Sequence, residues 1–276
     1  VVEGLVTGVA EGEATIMAEA DGMFGICTVT VIAPANIGDY YYSDGTYSTV
    51  LDTSKSVIGV VFYTGDPTAN DAILRRDFPN CTHGLVLALT ETNNVFWQKE
   101  ARAYNNTVSA WVEANGLEYQ TLLSGIEYTD PMNQINGYNN TKAIEAFNAA
   151  EENAAWPVEA VEVVVAFREE YPAPASSSDW YLPSVKECSL LLSGEVEGNV
   201  LDVNNNITNL TTINRKLEYI PGGLTVGHEG VEDDIWASNE RDLEYAFYLS
   251  TLTGKVWMNW KFYESSHHFV RAILAF

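Results

Sequence analysis

The side chains that could do chemistry are few and scattered, apart from the acids. Four histidines stand at His83, His228, His267 and His268, and three cysteines at Cys27, Cys81 and Cys188. The adjacent His267 and His268 turn to opposite faces of an extended strand, so they do not form a ligand pair by themselves. The cysteine spacings match neither a disulfide framework nor a zinc site, and an odd number leaves at least one thiol free. Cys27 lies inside the strand-like Gly25-Ile-Cys-Thr-Val-Thr-Val31, where a small buried hydrophobe is expected. Neither Gly-x-Ser-x-Gly nor His-Glu-x-x-His occurs, so the chain carries no nucleophile elbow and no zinc-protease helix motif. Carboxylate neighbours such as Asp233-Asp234 are abundant because acids are abundant, and a solvated loop is their plainer reading. Glu232, Asp233 and Asp234 still have the oxygen ligands that calcium takes. The expectation is a chain with no catalytic residues, no metal and no cofactor.

Recognition chemistry is better represented. In Val256-Trp-Met-Asn-Trp-Lys-Phe-Tyr263 the alternation places Trp257, Asn259, Lys261 and Tyr263 on one strand face. Met258, Trp260 and Phe262 take the other. One set must be core, and the polar-tipped set is expected to be exposed. With His267 it forms the candidate ligand-binding face: Trp257, Asn259, Lys261, Tyr263 and His267. Trp and Tyr offer large rigid contact area with a polar handle, which suits such a face.

The elements that must position this face can be read along the chain. Residues 1–33 alternate apolar and polar positions around Asp21-Gly22, which predicts a β-hairpin. Ala33-Pro-Ala-Asn36 is the junction to a second region, residues 37–276. There Val57–Tyr63 and Gly84–Leu89 read as buried strands. Residues 93–140 read as loops with one short helix. Asn140-Thr141 caps a predicted helix carrying Ile144, Phe147 and Ala150 on one face, and Glu159–Glu170 resumes after Pro157. Ser184-Val-Lys-Glu187 is a capping box that opens a helix closed by Gly194. Residues 202–217 form a weaker helix. Strands return at Tyr245–Leu249, Lys255–Phe262 and Phe269–Phe276.

Bulk composition bounds the partners. Acidic residues number 38 against 14 basic ones, for a net charge of −24. Nucleic acid and anionic membrane surfaces require Lys/Arg clusters and are excluded. No apolar run approaches the roughly 20 residues of a membrane span. The chain opens on Val1-Val-Glu-Gly-Leu-Val6, which is no signal peptide, so a trimmed, exported product is expected. At 46% hydrophobic residues, both regions can build a core.

Two resemblances follow from quoted residues. Gly4-Leu-Val-Thr-Gly-Val-Ala-Glu-Gly-Glu-Ala-Thr-Ile16 resembles the closing strands of a group 2 bacterial Ig-like domain, so residues 1–33 are expected to be a partial all-β module of that family. In residues 37–276, Gly38-Asp-Tyr-Tyr-Tyr-Ser-Asp-Gly-Thr46, Trp180-Tyr-Leu-Pro-Ser184, Trp236-Ala-Ser-Asn-Glu240 and Val270-Arg-Ala-Ile273 occur in an order that resembles a family of secreted Bacteroidetes proteins. That family is similar to the C-terminal domain of Legionella collagen-like adhesins. The resemblance implies an α+β, C-type-lectin-like domain: a twisted antiparallel sheet flanked by two helices, with long loops. The calcium-bridged sugar tripeptides of animal lectins, Glu-Pro-Asn and Gln-Pro-Asp, are missing here. Trp180, Ser184 and Glu187 are expected to be structural, and Arg271 to form a buried pair with Glu240.

The combined expectation is a secreted, non-catalytic cell-surface adhesin whose target is an extracellular glycan or host protein. It would be anchored at the outer membrane by a segment outside this chain. The alternative is a structural fimbrial or surface-layer subunit, and an enzyme acting on carbohydrate is the third class weighed.

Overall fold

The computed structural model describes residues 12–31, 33–123, 130–201, 206–227, 234–263 and 268–276. The chain divides into two compact units, Val1–Ala35 and Asn36–Phe276. The first contains a hairpin of strands β1 (Gly12–Ala20) and β2 (Met23–Val31). Its turn residues Asp21 and Gly22 have φ of 52° and 74°. Two positive φ values in succession are what a type I′ turn demands, and Asp-Gly supplies them at least cost. Register places Ala14, Ile16, Ala18 and Ala20 opposite Val29, Cys27, Gly25 and Met23, so one face is wholly apolar. Cys27 is exposed rather than buried, because among the described residues these two strands pair only with each other. A sandwich of the Ig type needs about seven strands.

The second unit holds two five-stranded sheets and the helices between and beside them. Sheet A runs β12-β6-β5-β3-β4, built from Ile273–Ala275, Gly84–Ala88, Val57–Thr64, Tyr40–Tyr42 and Tyr47–Ser48, all antiparallel. Sheet B runs β10-β9-β8-β11-β7, built from Lys255–Trp260, Tyr245–Ser250, Ile235–Glu240, His268–Val270 and Thr92–Val95. Its β11–β8 pair is parallel. Among the described residues the α-helices are α1 (Ala72–Asp77), α2 (Ala101–Tyr104), α3 (Val108–Ala114), α4 (Gly137–Ala149), α5 (Glu159–Glu170), α6 (Val185–Ser193) and α7 (Thr208–Leu217).

Alternation along sheet B divides the core in two. Ile235, Ala237, Phe247, Leu249 and Val256 join sheet A and helices α6 and α7 in one cluster. Trp236, Ala246 and Val270 join α3, α4 and α5 in the other. Successive side chains of a strand point to opposite faces, so sheet B serves both cores. The buried Trp97, Trp180 and Trp236 each donate their indole N–H to a backbone carbonyl, of Ala237, Tyr171 and Val95. That satisfies the polar end of each ring.

Two five-stranded sheets, one with a parallel pair, do not match one small antiparallel sheet between two helices. The C-type-lectin-like expectation is therefore corrected. The motifs behind it are local devices. Ser184 and Glu187 form the capping box of α6, and Gly194 closes that helix at φ 74°. Any fold can use such a cap, so it reports a helix end and not a topology.

Other differences have similar causes. Helix α4 begins at Gly137, about a turn before the predicted cap. Its polar first turn is buried and bonded across the core: Asn139 N–H donates to Asp71, Asn140 to Ser238 Oγ, and Thr141 Oγ1 accepts from Leu182 N–H. A side chain at Gly137 would meet Glu187, Ser184 N and Leu182 O, so only glycine fits there. The C-terminal strand is split by Arg271-Ala272, where the chain leaves sheet B for sheet A. Arg271 is fully buried and does not pair with Glu240. It donates to the carbonyls of Ala88, Leu89 and Leu224 and to Glu91.

Two outcomes are expected. Arg271→Ala removes four buried hydrogen bonds, to three carbonyls and one carboxylate, and should cost about 3–5 kcal/mol in urea unfolding. Burial raises the Glu187 carboxyl to about 7 from 4.5, so the folded state holds this proton more tightly than the unfolded chain. Stability from this group is fully present below its unfolded pKa and is lost as pH rises through 7. Stability measured from pH 4.5 to 8 should fall by up to about 3 kcal/mol on this account. In Glu187→Gln that component should vanish.

Candidate functional site

The strand face singled out by alternation has the parity the sequence predicts, but its two ends have different fates. At one end Lys261 is completely buried and bonds Glu240 Oε1 at 2.8 Å. The Lys261 ammonium also sits 4.7 Å from the centre of the Trp97 ring. Glu240, at the end of β8, accepts the N–H groups of Val108 and Ser109 at 3.1 Å each. One carboxylate thus caps the start of α3 and neutralises a lysine. A helix N-terminus favours negative charge, and a buried ion is tolerated when paired and bonded this fully. Lys261 is therefore corrected from a ligand residue to a core residue. Its strand parity is right, but Trp97 and α3 cover that part of the sheet.

Tyr263 is exposed but sits elsewhere. It lies past the end of β10 and packs on Trp260 and Phe262, with ring centres 5.2 Å away in both cases. Trp260 has the opposite parity to Trp257, so Tyr263 does not share Trp257's face. Trp260 is only half-buried, its ring tilted 35° to that of Tyr245 with centres 4.3 Å apart. His267 lies outside the described residues, as do Glu232 and Asp233.

At the other end the face is open. Trp257 is 52% exposed and borders a 340 Å³ cleft with Asp234, Tyr248, Ser250, Leu252, Thr253 and Lys255. Asn259 lies on the same face and meets His268 Nε2 at 3.2 Å through its amide nitrogen. The other ring nitrogen, Nδ1, faces Asp234 Oδ2, 3.9 Å away. The imidazole is stacked 4.5 Å from Tyr248 and packs edge-on against Trp236 at 4.4 Å. Asp234, Ser250 and His268 are each under a tenth exposed. The structure thus brings together Trp257 and Asn259 with Asp234, which the sequence offered only as a calcium-ligating candidate, and with Tyr248, Ser250 and His268, which sequence reasoning left out of the face. The signal available was the Tyr248–Trp257 register, which follows from the hairpin of β9 and β10.

Chemically the cleft offers one exposed aromatic plane with a carboxylate, three hydroxyl-bearing side chains and an ammonium around it. That set can hydrogen-bond and stack. Among the described residues, no group of three or more His, Cys, Asp and Glu is placed to hold a metal ion. The thiols of Cys81 and Cys188 are buried, and burial pushes both upward, Cys81 to about 11, so they rest as thiols. A larger groove of 620 Å³ between α4 and α5 is floored by Val161, Val165 and Ala166 and rimmed by Glu145, Glu162 and Glu169. Its carboxylates are spread along the helices without converging.

No protein-family model matches the chain. A Bacteroides ovatus protein named "Putative fimbrium tip subunit Fim1C" is 26% identical over 176 residues, covering 55% of this chain and 31% of that protein. A crystal structure of a fimbrial protein from Bacteroides ovatus superposes with a TM-score of 0.67 and 19% identity, covering 96% of this chain and 57% of that one. The chain thus spans about a third of the first relative's length and just over half of the second's. The fold is that of this fimbrial protein, which overturns the C-type-lectin-like reading on a second, independent ground.

Substitution separates the two ends of the face. Lys261→Ala leaves Glu240 buried and unpaired and should cost about 3–5 kcal/mol of stability. Lys261→Met should cost clearly less than that if accompanied by Glu240→Gln, since the charge and its partner then leave together. Trp257→Ala, at a half-exposed position, should shift thermal unfolding by about 0.5 kcal/mol or less. Calorimetry on the three variants checks this order.

Proposed function

We propose that this chain is part of a non-catalytic fimbrial subunit displayed at the bacterial cell surface. The observation that carries the reading is the shared fold with a Bacteroides fimbrial protein across 96% of the chain. The similarity to a relative named for a fimbrium tip supports it. The disposition of polar residues supports it as well. Lys261, Glu240, Arg271 and Glu187 are four fully buried ionisable residues, and all four hold elements together. The structural role takes precedence over the ligand-binding one that the sequence favoured.

One observation favours a second, compatible reading, that the subunit also binds a ligand. Trp257 is a large aromatic left half-exposed over a cleft with buried polar walls. Such concave sites with a few convergent polar groups are where small ligands bind. No membrane insertion is part of the reading; among the described residues, no helix is long and apolar enough to cross a membrane.

Immunogold electron microscopy tests the primary reading. Antibody raised against residues 36–276 should label filaments sheared from cells that carry the gene, and a deletion strain should lose the label. Filaments that stay unlabelled while the protein is found only in the soluble fraction would refute it.

A further inference from the structure

We infer that the cleft beside Trp257 binds a single neutral sugar ring. This deepens the ligand-binding reading of the same cleft and rests on it. The argument begins with what lines the cleft. Trp257 offers a flat apolar surface at 52% exposure. Around it stand the Asp234 carboxylate, the Ser250 and Thr253 hydroxyls, the Tyr248 ring and the Lys255 ammonium. A purely apolar ligand would match Trp257 and Leu252 but not the carboxylate, hydroxyls and ammonium on the other walls. An anionic ligand meets Asp234 and approaches a chain of net charge −24. A cationic ligand meets Lys255. A carboxylate and an ammonium on one small cleft favour a ligand that is neutral yet donates and accepts hydrogen bonds on several sides.

A pyranose has that form. One face presents C–H groups to an aromatic plane, and the rim carries hydroxyl groups that both donate and accept. The cleft volume of 340 Å³ lies at the small end of the roughly 300–1,000 Å³ range of ligand sites. It suits one ring and leaves a longer glycan to project outward. Buried donors and acceptors reject analogues that lack a matching group, so the site can discriminate among sugars. His268 does not line the cleft. It is a positioning residue: its Nδ1 faces Asp234 at 3.9 Å and its ring stacks on Tyr248 at 4.5 Å, which holds both cleft residues in place.

The test uses the purified 276-residue chain. Tryptophan fluorescence and saturation-transfer NMR are recorded against glucose, galactose, mannose and N-acetylglucosamine as neutral rings. Glucosamine serves as the cationic arm and glucuronate as the anionic one. At least one neutral ring should bind saturably and more tightly than either charged sugar. Trp257→Ala should weaken that binding at least tenfold, and Asp234→Asn should weaken it while thermal unfolding stays close to wild type. Tyr219→Ala, an exposed aromatic outside the cleft, should bind as wild type does. If Asp234→Asn fails to fold, Trp257→Phe takes its place, with affinity expected between wild type and Trp257→Ala. Preference for a charged sugar overturns the proposal. So does the lack of a saturable neutral ligand, or neutral-sugar binding that survives Trp257→Ala. Filament labelling is measured on cells and sugar binding on the isolated chain, so failure of one is distinct from failure of the other.

Discussion

The rest of the second unit depends on how its last nine residues are held. The chain runs through sheet B as β11, turns at Arg271-Ala272, and enters sheet A as β12. Two sheets stitched by two residues need a fixed crossing, and Arg271 supplies it. Its guanidinium is fully buried and takes the carbonyls of Ala88 and Leu89 at the end of β6, the carbonyl of Leu224, and the Glu91 carboxylate. Guanidinium is the cation best suited to this, since its planar fork bonds several acceptors at once and it cannot be deprotonated. With that crossing set, Ile273 and Ala275 reach the core between the sheets, and Tyr181 pairs with Ile273 to bring the α6 cap alongside.

The same economy governs the other buried polar groups. Glu240 and Lys261 join the end of β8 to the segment after β10 and to the start of α3. Glu187 accepts from Ser184 N–H and from the Tyr181 hydroxyl, so it fixes both the helix end and the turn before it. Asp71 caps α1 and also takes the Asn139 amide of α4. Glu240, Lys261 and Asp71 serve elements distant in sequence, and Glu187 ties a helix to the turn just before it. Breaking one costs the desolvation of the partner left behind, which is larger than the bond it contributed. That asymmetry specifies one arrangement of helices against the sheets.

The cleft beside Trp257 stands apart from this pattern. Its polar side chains surround open space instead of filling a core, and its aromatic wall is left half in water. Binding needs exposed aromatic surface that the interior would otherwise absorb. The Lys261 end of the same strand shows the alternative, where a covering layer turns potential recognition residues into core.

What the sequence by itself determined was local. The Asp21-Gly22 hairpin, the strands around Val60 and Leu87, the helix Glu159–Glu170, and the Ser184 cap with its Gly194 stop all follow from periodicity, turn chemistry and capping. The parity of Trp257, Asn259 and Lys261 along their strand was legible too. The tertiary structure decided which parts of that face are covered, that Glu240 pairs with Lys261 and Arg271 with Glu91, and that the last strand divides between two sheets. Short motifs pointed to the wrong fold for the same reason. Caps and turns act over three or four residues, whereas sheet order and burial depend on which distant segments pack together, and no local spacing encodes that.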